Sequence, residues 1–373
     1  MKISNKVPVT VKMSKIYSFI FRYTVSSFVI FVFAFMLLKF PVYSADGVKR
    51  GIDICLNSLI PSLYPFMILT NIYALSGLAE FDIPFTDKIS GFLFRLPGKC
   101  LSVILFSFIG GLPIGATMSV RLYDRGLITR EQCERMICFC VNPGPAFVIS
   151  AVGYTVLGSV KAGLLIYISL ILSSIIIGII TRFFSSENEF TAEVKLCEAP
   201  VHEKGIPLEK AVAESSKAML AICGWVVAFT CITELTQNMN ISEGIKSLIL
   251  CVSEITNGSI RAAKDYPVPI VAAVIGFSGF CGHFQLMSLI RRAGLKYKYF
   301  LVSRIVNSGI SAVICGLLFR LFPVAKETFA VGVRPEKGDT SGSVFLSVLM
   351  VVMAILFVLG DDYIVKRKNV KKV

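Results

Sequence analysis

The stretch FIGGLPIGATMSVRLYDRGLIT runs from Phe108 to Thr129. It continues an apolar run, Leu101–Ile109, and then places Gly110, Gly111, Pro113 and Gly115 within six positions. Glycine and proline interrupt helices. Non-helical backbone at membrane depth is tolerated only where protein buries it or where it lines a wet cavity. The stretch therefore predicts an all-α polytopic membrane protein with broken or re-entrant helices.

Composition agrees. The chain has 373 residues, 55% of them hydrophobic and only 17% charged, with a mean hydropathy of +0.74. A soluble chain of this size needs more polar surface over its core. About 8–9 apolar segments have roughly the length that spans a bilayer as helix. They are Ile16–Leu38, Ile52–Ser76, Leu101–Val120, Met136–Leu157, Ala162–Phe184, Ala211–Leu235, Val268–Ile290, Phe300–Phe322 and Ser343–Leu359. The net charge of +14 sits at helix flanks and in short loops, which is the positive-inside pattern rather than a nucleic-acid surface. The first apolar run is longer than an ordinary signal peptide and reads as an uncleaved helix.

Eleven cysteines and two histidines form no paired C-x-x-C and no H-x-x-x-H, so no metal site and no cofactor is expected. Most of the cysteines lie in apolar spans as small apolar residues. There is no G-x-S-x-G and no Ser or Cys in a catalytic context, so the chain does not read as an enzyme.

Two halves resemble each other. Gly111 is followed 15 residues later by Gly126 and Leu127; Gly279 is followed 15 residues later by Gly294 and Leu295. Each interval holds a glycine-broken apolar run and a basic stretch. CVNPGPAF (Cys140–Phe147) and IVNSGISA (Ile305–Ala312) each place a Val-Asn pair ahead of glycine. The expected organisation is an N-terminal transmembrane helix over 1–40, a first repeat over 41–184, a cytoplasmic linker over 185–210, a second repeat over 211–323, and a C-terminal transmembrane helix with a basic tail over 324–373. Charge puts the loops Arg121–Arg135 and Arg291–Lys298 on the cytoplasmic side. One first-half segment, Ile52–Ser76 or Leu101–Val120, must then enter and leave on the same face.

The candidate solute-binding residues cluster at the breaks. Gly111, Pro113 and Gly115 either open a half-helix whose N-terminus presents its dipole to a polar ligand or allow close helix crossing. Asn142, Pro143 and Gly144 interrupt the next span and put an amide at depth. His283 and Gln285 can both donate and accept hydrogen bonds, which suits a polar solute; an interhelix hydrogen bond is the plainer role for His283. Arg304 lies one turn inside a basic loop, where snorkelling to headgroups is the simple reading. Glu254, with Thr256 and Asn257, either caps a helix or lines the site.

GLPIGA, RLYDRGLITREQCERMICFCVNPGPAFVISAVG, SEITNG and GFSGFCGHFQ together resemble the YlbJ family of sporulation integral membrane proteins, which belongs with the nucleoside-recognition, or Gate, domain proteins. The resemblance extends from about Pro41 to Pro323. It implies a multi-pass protein of the cell membrane with a role around spore cortex formation. Combined with the breaks, it leads to the expectation of a transporter-like protein that binds or moves a small polar solute, with nucleoside-like chemistry as one option. A non-transporting scaffold in spore envelope assembly is the alternative. Beyond the lipid bilayer and the solute, the partners to expect are a second copy of the chain or other sporulation membrane proteins.

Overall fold

The computed structural model describes residues 24, 27–28, 30–76, 84–184, 208–237 and 239–324. The linker over 185–207, residues 1–23 of the expected N-terminal segment and the expected C-terminal helix with its basic tail, from 325 onward, lie outside the described residues. All described residues fall in one compact unit, Met1–Glu327.

The described residues are mostly helical, with no strand among them. Helix α1 (Ile30–Lys39) ends at Phe40 and meets the next helical rod at 101°. That rod runs through α2 (Pro41–Ile54), a π-helical turn (Cys55–Leu59) and α3 (Ile60–Leu75). It begins at Pro41 rather than at Ile52, because Pro41 fits the first helical turn, where an amide hydrogen would be unpaired anyway. The π turn precedes Pro61 and Pro65, which the rod carries without breaking.

α4 (Pro84–Phe94) is bent by 77° from α5 (Lys99–Gly110). α6 (Leu112–Asp124) follows a single-residue break at Gly111. α5 and α6 fold back on each other. A Cβ placed on Gly115 would stand 2.7 Å from the Cβ of Ser107, four positions on the other side of Gly111. Arms of 12 and 13 residues are about 18–20 Å long, too short to cross about 30 Å of hydrocarbon. Of the two first-half segments considered, this hairpin has the short, folded-back arms that a segment entering and leaving on one face requires.

α7 (Arg130–Phe139), a break over 140–145 and the π-helical Ala146–Val156 form the first broken span. It is antiparallel to α8 (Val160–Arg182). Gly153 meets Gly163 backbone to backbone, and Phe139 packs on Gly178. α9 (Leu208–Gln237) pairs with the α2–α3 rod. Gly47 and Gly51, spaced as in G-x-x-x-G, bring α2 onto the backbone of Cys231 and Val227; a Cβ on either glycine would lie 2.7 Å from an α9 Cα.

A second hairpin was not among the nine apolar segments. α10 (Glu243–Ser253) and α11 (Ile255–Asp265) turn at Glu254, and a Cβ on Gly258 would lie 3.0 Å from Cys251. α12 (Val268–Phe277), a break at Ser278 and α13 (Gly279–Arg292) form the second broken span, antiparallel to α14 (Tyr297–Leu321). The chain thus repeats hairpin, broken span and straight span twice, over 99–182 and 243–321.

The repeats are inverted. The two basic loops meet: Glu134 accepts from the backbone N–H of Lys296 at 3.0 Å, Arg130 donates to the carbonyl of Gly294, and Asp124 lies 3.6 Å from Arg292. The loop near Thr129 begins the first broken span, while the loop near Lys296 ends the second. The two broken spans therefore run in opposite directions from one basic face. At the other face Lys161, starting α8, donates to the carbonyl of Pro323 beyond α14. This corrects the register expected from sequence. Gly111 corresponds in topology to Glu254 and not to Gly279, and the 140–145 break corresponds to Ser278.

Candidate functional site

Each hairpin tip meets the break of its own repeat's broken span. In the first repeat Gly111 has φ +88°, a conformation open to glycine at little cost. A Cβ there would stand 3.3 Å from the backbone nitrogen of Gly144. One turn on, a Cβ on Gly115 would fall 1.8 Å from the carbonyl oxygen of Cys140. Only glycine lets α6 lie this close to the broken backbone. Pro113 sits in the first turn of α6.

The break itself is satisfied by side chains. Helix α7 ends at Phe139; Pro143 and Pro145 bring no amide hydrogen to the carbonyls of Phe139 and Val141, and the chain leaves the helix before Asn142 could pair that of Cys138. Asn142, buried, donates to the Phe139 carbonyl at 2.8 Å. Arg304, wholly buried on α14, donates to the carbonyls of Cys138 at 2.7 Å and of Val141. It does not snorkel: a guanidinium at the C-terminal end of α7 complements that end of the helix dipole and finds carbonyls that need donors.

In the second repeat Ser278 takes a left-handed conformation, φ +72°, followed by Gly279 at +60°. A Cβ on Gly279 would stand 3.0 Å from the nitrogen of Ile255 and 3.2 Å from the Cα of Glu254. Glu254 caps α11: its carboxylate oxygens accept from the N–H groups of Thr256 and Asn257, each at 2.8 Å. The capping alternative read from sequence is the one observed. On the far side of the break, Asn307 donates to the Gly276 carbonyl at 3.1 Å.

Adjacent serines of α8 hold both asparagines. Ser174 donates to Asn142 at 2.7 Å and Ser173 to Asn307 at 2.6 Å. The two Val-Asn pairs are thus tied to one helix, with Asn142 in the first break and Asn307 on the straight span that braces the second.

His283 is buried among Phe277, Phe280, Tyr297 and Phe300. Its Nε2 lies 3.0 Å from the Phe277 carbonyl, so Nε2–H donates there; Nδ1 then accepts from the Tyr297 hydroxyl at 2.9 Å. Both ring nitrogens are committed. Gln285 is half-buried and donates to Cys281 Sγ at 3.3 Å. The two broken regions come together where α6 packs on α13: a Cβ on Gly282 would lie 3.8 Å from Leu112 Cδ1.

Of the residues nominated from sequence, Gly111, Gly115, Asn142, Pro143 and Gly144 gather at the first break, with Pro113 in the first turn of the α6 arm. His283 and Gln285 lie on α13 beside the second. Sequence reading missed the bracing by Ser173 and Ser174 and the capping by Arg304. A serine in an apolar run carries no distinctive signal, and a basic residue near a span end reads first as a lipid anchor. Among the described residues no group of three or more His, Cys, Asp or Glu could hold a metal ion.

No protein-family model matches the chain, and no solved structure matches it. Among curated proteins it is similar to the sporulation integral membrane protein YlbJ of Bacillus subtilis (strain 168), with 23% identity over 336 residues, 79% of this chain and 82% of that protein. This similarity supports a YlbJ-family assignment. Among the described residues α8, α9 and α14, and the α12–α13 broken span taken as one, are long and apolar enough to cross a membrane, and the chain is a multi-pass integral membrane protein.

Proposed function

We propose that this YlbJ-like membrane protein acts in sporulation, in forming the spore cortex, as a transporter-like protein that binds and moves a small polar solute between its two repeats. The observation that carries the reading is the inverted pair of hairpins, each tip seated in the break of a broken span. Inverted repeats with discontinuous helices are how many secondary transporters build a midplane site and open it to alternate faces. Opening N–H groups of α6 and α13 have no acceptor within their own helices, and the two helices meet at Leu112 and Gly282.

The nominated residues divide in role. Gly111, Pro113, Gly115, Pro143 and Gly144 shape the backbone at the site. Asn142 and His283 brace it through the internal bonds they already make. Gln285 is the side chain assigned to the solute. An amide that both donates and accepts suits a neutral hydrogen-bonding solute such as a nucleoside. No catalytic step is assigned.

The test is complementation of a spore-forming strain that lacks the gene. Gln285→Leu should cut the yield of heat-resistant spores while membrane abundance stays normal, because the solute's polar group loses a partner, worth roughly 1–3 kcal/mol. Full yield with Gln285→Leu would remove the solute assignment and favour the scaffold.

A further inference from the structure

Glu254 is the one fully buried carboxylate among the described residues, 1% exposed. It stands at the tip of a hairpin whose arms of 11 residues each reach about 16 Å into the layer, against the break of the second broken span. No lysine, arginine or histidine pairs with it among the described ion pairs. A carboxylate taken out of water needs a counter-charge or a proton. Two backbone N–H groups at the start of α11 supply part of that stabilisation.

The surroundings supply oxygen. The Thr256 hydroxyl is buried, lies within electrostatic reach of the Glu254 carboxylate and has no partner of hydrogen-bond geometry. The Ser253 carbonyl, at the end of α10, also lies against the second break, 3.2 Å from where a Gly279 Cβ would stand. A buried carboxylate without a basic partner and a hydroxyl beside it are hard oxygen donors of the kind a small cation takes.

The other titratable groups on neighbouring elements do not supply that charge. Cys55, which opens the π turn, and Cys281, on α13, are thiols and carry no positive charge. On α9, Glu234 pairs with Arg50. On α13, His283 is bound to Tyr297 and Phe277. At the open end of the hairpin Arg261 pairs with Asp265, and Lys246 with Glu243.

We propose that Glu254 and Thr256 form the monovalent-cation site of the transport cycle, taking up a proton or Na⁺ at the tip of the second hairpin. With a proton the carboxylate becomes a neutral carboxyl; with Na⁺ it stays ionised and the ion gathers the Thr256 hydroxyl. The inference rests on the transporter-like reading for its role. Occupancy itself can be read without any solute, so the two can fail separately.

The experiment uses the full-length protein purified into lipid nanodiscs. Infrared difference spectra are taken across a pH series in potassium buffer, and binding of radioactive sodium is measured at fixed pH. A protonated-carboxyl band that titrates in the wild type and is lost in Glu254→Gln supports the proton. Saturable sodium binding that is lost in Glu254→Gln and weakened in Thr256→Val supports Na⁺. Should Glu254→Gln not fold, Glu254→Asp serves instead: the band must shift, or the sodium affinity must fall. A wild type with neither signal, or a signal unchanged in these Glu254 variants, overturns the proposal.

Discussion

Arg304 on α14 donates to the carbonyl oxygen of Cys138 at 2.7 Å, so a side chain of the second repeat closes the broken helix end of the first. The bond crosses between the inverted repeats at a position where neither helix could pair its own backbone. Arg304→Met should leave two carbonyls unsatisfied in a buried setting, each costing roughly 1–3 kcal/mol. Arg304→Lys keeps the charge but not the planar fork, and should fall between. Thermal unfolding in detergent is the measurement; a Met variant as stable as wild type would show that the break does not depend on this cap.

The Ser174–Asn142 and Ser173–Asn307 bonds should behave as two separate couplings on one helix. Interhelix hydrogen bonds in membranes average about 0.6 kcal/mol in double-mutant cycles. Cycles of Asn142→Ala with Ser174→Ala, and of Asn307→Ala with Ser173→Ala, should each give a coupling of about that size. The crossed cycle, Asn142→Ala with Ser173→Ala, should give a much smaller one. Equal couplings in all three would mean that α8 shifts as a unit when either serine is lost.

Gly115→Ala puts a methyl group 1.8 Å from the Cys140 carbonyl oxygen. The neighbour is backbone, so hairpin and break must separate. A loss of stability of roughly 1–3 kcal/mol or more is expected, together with lost spore formation. Gly224→Ala and Gly309→Ala, with nothing within 4 Å of the added atom, should be neutral or slightly stabilising, since alanine is the better helix former. Comparable losses at all three positions would contradict the close approach of α6 to the break.

The inverted arrangement predicts sidedness. Single cysteines at Thr129 and Lys296 should react with an impermeant thiol reagent from the cytoplasmic face, because their loops are basic and in contact. Cysteines at Glu243 and Lys264, at the open end of the second hairpin, should react only from the other face. Reaction of Lys264 from the cytoplasm would mean that the second hairpin and the second broken span are oriented otherwise.

The sequence by itself determined the solvent and the places of failure in the helices. Long apolar runs leave no alternative to a bilayer, and Gly111, Pro143 and Gly279 mark stretches where residues that interrupt a helix gather; the structure puts the second break at Ser278, with 280–285 inside continuous α13. Basic residues at Arg130 and Lys296 marked one face. Tertiary structure decided how the breaks pair. Matching Gly111 with Gly279 followed the letters, but a hairpin tip and a break inside a span both call for residues that permit unusual backbone, so local sequence cannot tell them apart. The second hairpin escaped notice because its arms are short and α11 carries Arg261, Lys264 and Asp265; only its contact with Gly279 shows where it inserts. The buried roles of Arg304 and Ser173 likewise depend on which carbonyl or amide another helix brings within reach, and that distance is set by packing between segments far apart in the chain.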